Sequence, residues 1–200
     1  MIKTLKHICI NLCILLCISK YSYAIDESIA VKYIEGVGQQ AINILKTPIE
    51  DLQTRELLFA RMLNNNFDKK LIHRAVLGKA SKGASPGELV RFGKAFDKHI
   101  VKVYASQLGV YSNQLFIIDK AFNKGKKDTI VSSHIEHETA PPLRIDWRLR
   151  DRGNGIKIID IAIEGVSLLA TKRADFGASI KKGGLHSLII DLETKNAENK

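Results

Sequence analysis

Apolar residues recur at helical spacing from Asp26 to Leu77, and Thr47-Pro48 divides that stretch. Ile34, Val37, Ala41 and Leu45 form one face of a first helix. Leu52, Phe59, Met62 and Leu63 form that of a second, and Phe67, Leu71, Ala75 and Val76 continue beyond Asn64-Asn65-Asn66, which reads as a break. Three N-terminal helices are the economical reading. Gly78 to Gly83 is then expected to be a polar connection. Ser85-Pro86-Gly87-Glu88 announces a further helix: Ser85 is placed to cap free backbone donors while Glu88 reaches back, and Pro86 stands where a missing N–H costs nothing. This helix is expected to run to about Tyr111. Its apolar stripe is Leu89, Phe92, Phe96, Ile100, Val103, Tyr104 and Leu108, and its opposite side carries Arg91, Lys94, Lys98 and Lys102.

After Tyr111 the period changes to alternation. Leu115 to Asp119 and Thr129 to His137 are expected strands, joined by the turn-like Asn123-Lys124-Gly125-Lys126-Lys127. In a third strand Leu143, Ile145, Trp147 and Leu149 alternate with Arg144, Asp146, Arg148 and Arg150, so one face is buried and the other wet. Asp151 to Gly155 turns the chain into a fourth strand, Ile156 to Ile163. There Ile156 and Ile158 share one parity and Ile159, Ile161 and Ile163 the other, a phase break that a bulge or cover on both faces explains. Gly165 to Lys182 returns to helical spacing, Gly183-Gly184 stops it, and Leu185, Leu188, Ile189 and Leu192 form a short last helix.

The first 24 residues change the picture of where the chain works. Lys3 and Lys6 precede an apolar run from Ile8 to Ile18, and Ser22-Tyr23-Ala24 carries small residues where a signal peptidase reads them. We place the cut after Ala24, leaving residues 25–200 as one domain. The run is about half of what a spanning helix needs. A lipid anchor on Cys17 is disfavoured because Leu16, the residue before it, is not small. Cys9, Cys13 and Cys17 all lie in this segment, so the exported chain has neither thiol nor disulfide. The whole sequence carries 31 basic and 21 acidic side chains, net +10; the cleaved segment takes three lysines and no acid, which leaves +7. An exported basic chain meets acidic protein surfaces and anionic headgroups rather than nucleic acid.

Catalytic patterns are missing. Ser167 lacks a nucleophile elbow, because Leu169 stands where Gly-x-Ser-x-Gly needs its second glycine, and Ser85 belongs to a helix start. His134-Ile135-Glu136-His137-Glu138 does not follow the helical His-Glu-x-x-His spacing, and along a strand its members point to both faces. No phosphate loop or dinucleotide fingerprint is present.

Short blocks occur in a telling order: Val76-Leu77-Gly78, Ala84-Ser85-Pro86, Phe92, Ala95-Phe96 and Tyr104-Ala105, then Asp146-Trp147-Arg148, Lys157-Ile158-Ile159-Asp160, Glu164-Gly165-Val166-Ser167-Leu168, Phe176 and Gly184. In these the chain resembles the MlaC family, the toluene-tolerance or ABC-transporter auxiliary family, from about Asp26 to Leu192. It departs from the family pattern at Ala80-Ser81, where tryptophan and a basic residue are usual, and at Ile156, where tryptophan often precedes Lys157. The resemblance implies an α+β fold: N-terminal helices and the long amphipathic helix on a curved, mainly antiparallel four-stranded sheet of the nuclear-transport-factor-like kind, followed by C-terminal helices. It also implies a periplasmic, monomeric phospholipid carrier rather than an enzyme, with bound phospholipid as ligand and no cofactor or metal. Its partners would be an inner-membrane ABC transporter complex with an MCE-type substrate-binding subunit and an outer-membrane lipoprotein complex, and its role the maintenance of outer-membrane lipid asymmetry.

On that reading the acyl chains lie between the apolar faces of helices and sheet. The candidates are Phe59, Met62, Leu63, Phe92, Phe96, Ile100, Val103, Tyr104, Leu115, Ile117, Val131, Ile135, Leu143, Ile145, Trp147, Ile161 and Ile163. Alternation alone is more often the mark of a dry core, since any half-covered sheet shows it. Arg91, Lys94, Lys98 and Lys102 are either a solvated helix face or a surface for acidic partners or headgroups. Two other classes stay open: a periplasmic enzyme on a cone-shaped fold with Asp146 or His134 as general base, and a lipid-free accessory protein such as a chaperone.

Overall fold

The computed structural model describes residues 24–107, 114–136 and 141–198. Residues 1–23 of the expected signal segment, the expected end of the long helix beyond residue 107, and His137 and Glu138 lie outside the described residues. Three helices open the chain, α1 (Glu27–Leu45), α2 (Leu52–Asn66) and α3 (Lys69–Leu77), each started by an aspartate whose carboxylate accepts from a first-turn amide. Asp26 accepts from Ser28 N at 2.9 Å, Asp51 from Thr54 N at 3.1 Å and Asp68 from Leu71 N at 3.0 Å. The break before α3 therefore falls at Phe67-Asp68, just past the three asparagines. Asn66 is no linker residue: it is buried, donates to Gln40 Oε1 at 2.9 Å and accepts from the Tyr33 hydroxyl, tying α2 to α1.

The expected connection from Gly78 to Gly83 contains a single helical turn, α4 (Ala80–Gly83), in which Ser81 Oγ donates to Gly78 O at 2.7 Å. Then comes α5 (Pro86–Gln107), opened by a reciprocal capping box: Glu88 N donates to Ser85 Oγ at 3.2 Å and Ser85 N to Glu88 Oε2 at 2.9 Å.

The sheet has five strands, not four, in the order β1 (Leu115–Lys124), β2 (Asp128–Glu136), β3 (Leu143–Asp151), β4 (Ile156–Ile163) and β5 (Val166–Ser167), every neighbour antiparallel. The fifth was hidden because Glu164 and Gly165, both at positive φ (49° and 78°), close a two-residue hairpin before the helical spacing resumes. The final helix, α6 (Leu168–Glu198), thus begins three residues later than Gly165, with Gly184 at φ 79° dividing it into halves, 168–183 and 185–198. β1 is twice the expected length. A register shift at Asp119 places an extra residue in it, and a second shift places Ile159 as the extra residue of β4. The latter is the phase break of the fourth strand: Ile158 and Ile159 are both buried.

Helices cover one face of the sheet. Ala30, Ile34 and Val37 of α1 and Phe59 and Met62 of α2 pack with Val131, Ile145, Trp147, Leu149 and Ile158. Gly38 lets α1 approach β1 so closely that any Cβ there would strike the Phe116 ring. A second cluster joins α3, α5 and α6 through Val76, Leu77, Phe92, Phe96, Phe176 and Leu188. The other sheet face is a mesh of ion pairs: Asp128 bonds to Arg148 and to Arg150 (Nε at 2.5 Å, Nη2 at 2.9 Å), and Asp146 to Ser132 Oγ at 2.6 Å and Arg144 at 2.8 Å.

Burial pushes the Asp128 carboxyl up, but the hydrogen bonds and charges of Arg150 and Arg148 outweigh it and hold it below the usual carboxylate range. A carboxyl depressed in the folded state adds stability that is present above its unfolded value and lost as pH falls through the folded one. Asp128→Asn is accordingly expected to cost about 2–3 kcal/mol at pH 7, less than a fully buried pair because both arginines reach water. The loss should shrink below about pH 4. Urea titrations at pH 7 and pH 3 check this; an equal loss at both would assign the effect to packing.

Candidate functional site

The two apolar clusters meet without closing completely. Between them lies a cavity of about 100 Å³. Its walls come from five elements and one connection: Leu63 of α2, Phe67 before α3, Ile72 and Val76 of α3, Phe96, Ile100 and Tyr104 of α5, Ile159 and Ile161 of β4, and Leu168 and Leu169 of α6. The backbone fixes the enclosure. Phe67 forms an isolated bridge to Ile158, and Asp68 N donates to Ile158 O at 3.0 Å, so the α2–α3 corner is fastened to β4. On the far side Asp160 accepts from Ser167 Oγ at 2.6 Å and from Leu169 N at 3.1 Å, while Ser167 Oγ accepts from Ala170 N at 3.0 Å. Ser167 is therefore a helix cap, and Asp160 holds the start of α6 against β4.

Besides Tyr104, the polar residues that line the cavity are Lys69, His73, Asp97, Asp160 and Lys172. Asp97 Oδ2 lies 2.9 Å from Lys69 Nζ, and Asp97 Oδ1 is 2.7 Å from His73 Nε2. Burial raises the Asp97 pKa, but the hydrogen bonds from His73 and Lys69 exceed it, so the carboxylate stays ionised. Tyr104 moves the other way, its phenol raised by burial and by the charge of Asp175, and its hydroxyl remains neutral beside the apolar wall.

Beside the cavity runs a surface groove of about 530 Å³ between α2 and α5. Leu57, Ala60 and Val101 are its apolar residues beside Leu63, and Lys94, Lys98, Lys102 and Glu56 its charged ones beside Lys69 and Asp97. Leu63, Lys69 and Asp97 line both groove and cavity.

Of the residues singled out by pattern, the structure brings Leu63, Phe96, Ile100, Tyr104 and Ile161 together around the cavity. Phe59, Met62, Val131, Ile145 and Trp147 are buried in the closed core below α1, and Ile135 packs against that core. Trp147 stands edge-on to Phe116 and donates Nε1–H to Ser133 Oγ at 2.9 Å. Phe92 is fully buried among Phe96, Phe176 and His73. Val103 and Ile163 are half-buried outside the lining, and Leu143 is exposed at the strand end. Leu115 and Ile117 pair with Glu136 and His134, which puts them on the ion-pair face, away from the cavity.

The basic stripe is divided. Arg91 forms a two-point ion pair with Glu193 (2.7 and 3.2 Å), and Lys102 Nζ donates to Asn196 O at 2.9 Å, so both ends are tied to α6. Lys94 and Lys98 are exposed.

Sequence reasoning passed over Phe67, Ile72, Ile159, Leu168 and Leu169, and also the Lys69–Asp97–His73 cluster. Lys69 and His73 are one helical turn apart, a visible signal, but nothing in the linear pattern joins them to Asp97.

The two candidate general bases face away from the cavity. Asp146 is bound by Ser132 and Arg144, which hold its carboxyl low against the push of burial; His134 Nδ1 lies 2.8 Å from Asp119 Oδ1. Among the described residues no group of three or more His, Cys, Asp or Glu is placed to hold a metal, and no helix is long and apolar enough to cross a membrane.

The profile of the family described as MlaC protein matches residues 35–194. The toluene tolerance protein ttg2D of Pseudomonas putida is 20% identical over 156 residues, covering 76% of this chain and 73% of that protein. Among solved structures, a phospholipid-binding protein of Ralstonia solanacearum, determined in complex with a phospholipid, superposes with a TM-score of 0.75 at 22% identity, over 84% of this chain and 97% of that one.

Proposed function

Because the chain belongs to the MlaC family, we propose that it is a periplasmic phospholipid carrier and not an enzyme. It would move lipid between the outer membrane and an inner-membrane ABC transporter complex, and so maintain outer-membrane lipid asymmetry. The observation that carries this reading is the apolar cavity enclosed by α2, α3, α5, α6 and β4, in the fold of a protein that was solved with a phospholipid. Two acyl chains do not fit into about 100 Å³; pockets for drug-sized ligands already run to about 300–1,000 Å³. Lipid entry therefore requires the helices around the cavity to part. Each buried methylene contributes about 0.8 kcal/mol, so ten of them supply on the order of 8 kcal/mol toward opening the packed wall. Lining residues such as Ile72, Ile100, Ile161 and Leu169 are half-buried rather than sealed, which lowers what must be separated.

Organic extraction of protein purified without detergent, followed by mass spectrometry, is expected to release phospholipid in stoichiometric amount. The delipidated protein should melt at lower temperature and recover when phospholipid vesicles are added, since a ligand at a hundredfold excess over its Kd stabilises the folded state by about 2.7 kcal/mol. An extract free of lipid, repeated after incubation with vesicles, would remove the carrier reading in favour of a lipid-free accessory protein.

A further inference from the structure

We propose that the groove between α2 and α5 seats the phosphodiester of the bound lipid, with Lys69 and Lys98 as its cationic contacts and Asp97 as the carboxylate it displaces from Lys69. This rests on the carrier reading above and assigns the headgroup end of the same site. Groove and cavity adjoin at Leu63, Lys69 and Asp97, which line both. Inward of that line the wall is Ile72, Val76, Phe96, Ile100 and Ile161; outward of it stand Lys94, Lys98 and Lys102 against one carboxylate, Glu56, so the groove remains net cationic. That order, apolar depth and cationic mouth, is the order of an anionic amphiphile.

The stripe on α5 supports the same assignment. Its ends are fastened internally, Arg91 to Glu193 and Lys102 to Asn196, whereas among the described residues no ion pair involves Lys94 or Lys98. Lys94 and Lys98 lie one turn apart on the groove wall. At the threshold Lys69 and Asp97 are about one-third exposed (34% and 28%), so an incoming anion reaches the pair from the groove. A phosphodiester oxygen replaces Asp97 as acceptor for the Lys69 ammonium, and Asp97 keeps His73 as its partner at 2.7 Å. Hydrogen bonds between charged groups are the strong ones, and at Lys69, beside the apolar lining, they are less screened by water than at the exposed Lys98.

The test compares two soluble probes with identical chains, dihexanoyl phosphatidylglycerol and dihexanoylglycerol, by calorimetric titration of the delipidated full chain. Glycerophosphoglycerol and inorganic phosphate serve as anions without chains. The native protein is expected to bind the phosphatidylglycerol at least tenfold more tightly than the diacylglycerol. Lys69→Gln and Lys98→Gln should each remove about tenfold of the phosphatidylglycerol affinity and leave the diacylglycerol affinity unchanged. Asp97→Asn, which relieves repulsion of the phosphate, should tighten phosphatidylglycerol severalfold. Lys98 is exposed, so its variant keeps the test decisive even where loss of the Lys69–Asp97 pair perturbs folding.

Equal native affinity for both lipids, or equal losses on both in the variants, overturns the assignment while the carrier reading stands. Absence of binding to either lipid overturns both. Chain-free anions binding as tightly as the lipid would make the groove an anion site unrelated to the cavity. Unchanged lipid affinity with slower delivery to a membrane complex would make the lysines a docking surface instead.

Discussion

Leu169→Trp is expected to leave the protein folded and empty of lipid. Leu169 stands at the start of α6, half-buried on the cavity wall, with its amide held by Asp160 Oδ1 at 3.1 Å. The helix start is thus fixed independently of the side chain, and an indole at this position extends along the wall it already forms, into the cavity of about 100 Å³. Overfilling a packed site costs about 1–3 kcal/mol, against a total stability of about 5–15 kcal/mol, so the variant folds. The space it takes is the space from which the chains must begin to wedge the helices apart. Lipid recovered by extraction should fall below about a tenth of the native amount, with an unchanged circular dichroism spectrum; the fall corresponds to about 1.4 kcal/mol or more of lost binding. Val90→Trp, on an exposed position of α5 (57%) away from the lining, is the control and should keep its lipid. Full lipid occupancy in Leu169→Trp would place the acyl chains elsewhere.

The helices were legible because period and punctuation agree. Ser85-Pro86-Gly87-Glu88 forms the capping box that its residues announce, and Gly184 breaks the last helix where the pattern stops. The third strand was legible because four apolar residues alternate with four charged ones, and even the bulge at Ile159 left its trace as a parity change in a run of isoleucines. The length and inward face of β1 were not legible, for the opposite reason. Leu115-Phe116-Ile117-Ile118 is apolar at every position, so parity carries no information, and the bulge at Asp119 then shifts the register of the residues from Lys120 onward. Phe116 and Ile118 turn out to be the inward pair. The fifth strand was invisible because two residues between a hairpin and a helix have no period at all.

The site was less legible than the fold, and the cause is physical. Hydrophobic pattern reports which residues leave water, not whether the next atom is a neighbour or a gap. Phe92 and Phe96 occupy one stripe of α5, yet Phe92 is sealed among aromatic rings and Phe96 borders the cavity. The distinction is made by α3 and α6, far apart in sequence, and by the fastening of Phe67 and Asp68 to β4. The rim charges had the same fate, since His73 and Asp97 are separated by 24 positions and meet only because α3 lies on α5.

Ile145→Arg exposes that difference between core and cavity most severely, and it is expected to unfold the protein at moderate temperature. Alternation placed Ile145 on the same face as the pocket candidates, where a long side chain could have extended toward an open mouth. The structure removes that outlet. Ile145 is 8% exposed, pairs with Ser133 and Ile163, and belongs to the cluster closed by α1 and α2, not to the cavity lining. A guanidinium there loses its water without a partner, which costs several kcal/mol, and its added length overpacks the core by about 1–3 kcal/mol more. A loss of about 5 kcal/mol lowers the melting temperature of a chain this size by roughly 10–20 °C. Arg144→Glu, one residue away on the opposite face, gives up the pair with Asp146 (side chains 61% and 18% exposed) and sets a like charge near Asp146, Glu164 and Asp119; with the new carboxylate in water it should shift the melt by a few degrees, well short of Ile145→Arg. A cooperative melt of Ile145→Arg within a few degrees of native, with lipid absent, would mean that the space beneath β3 opens to solvent and that the cavity extends under α1.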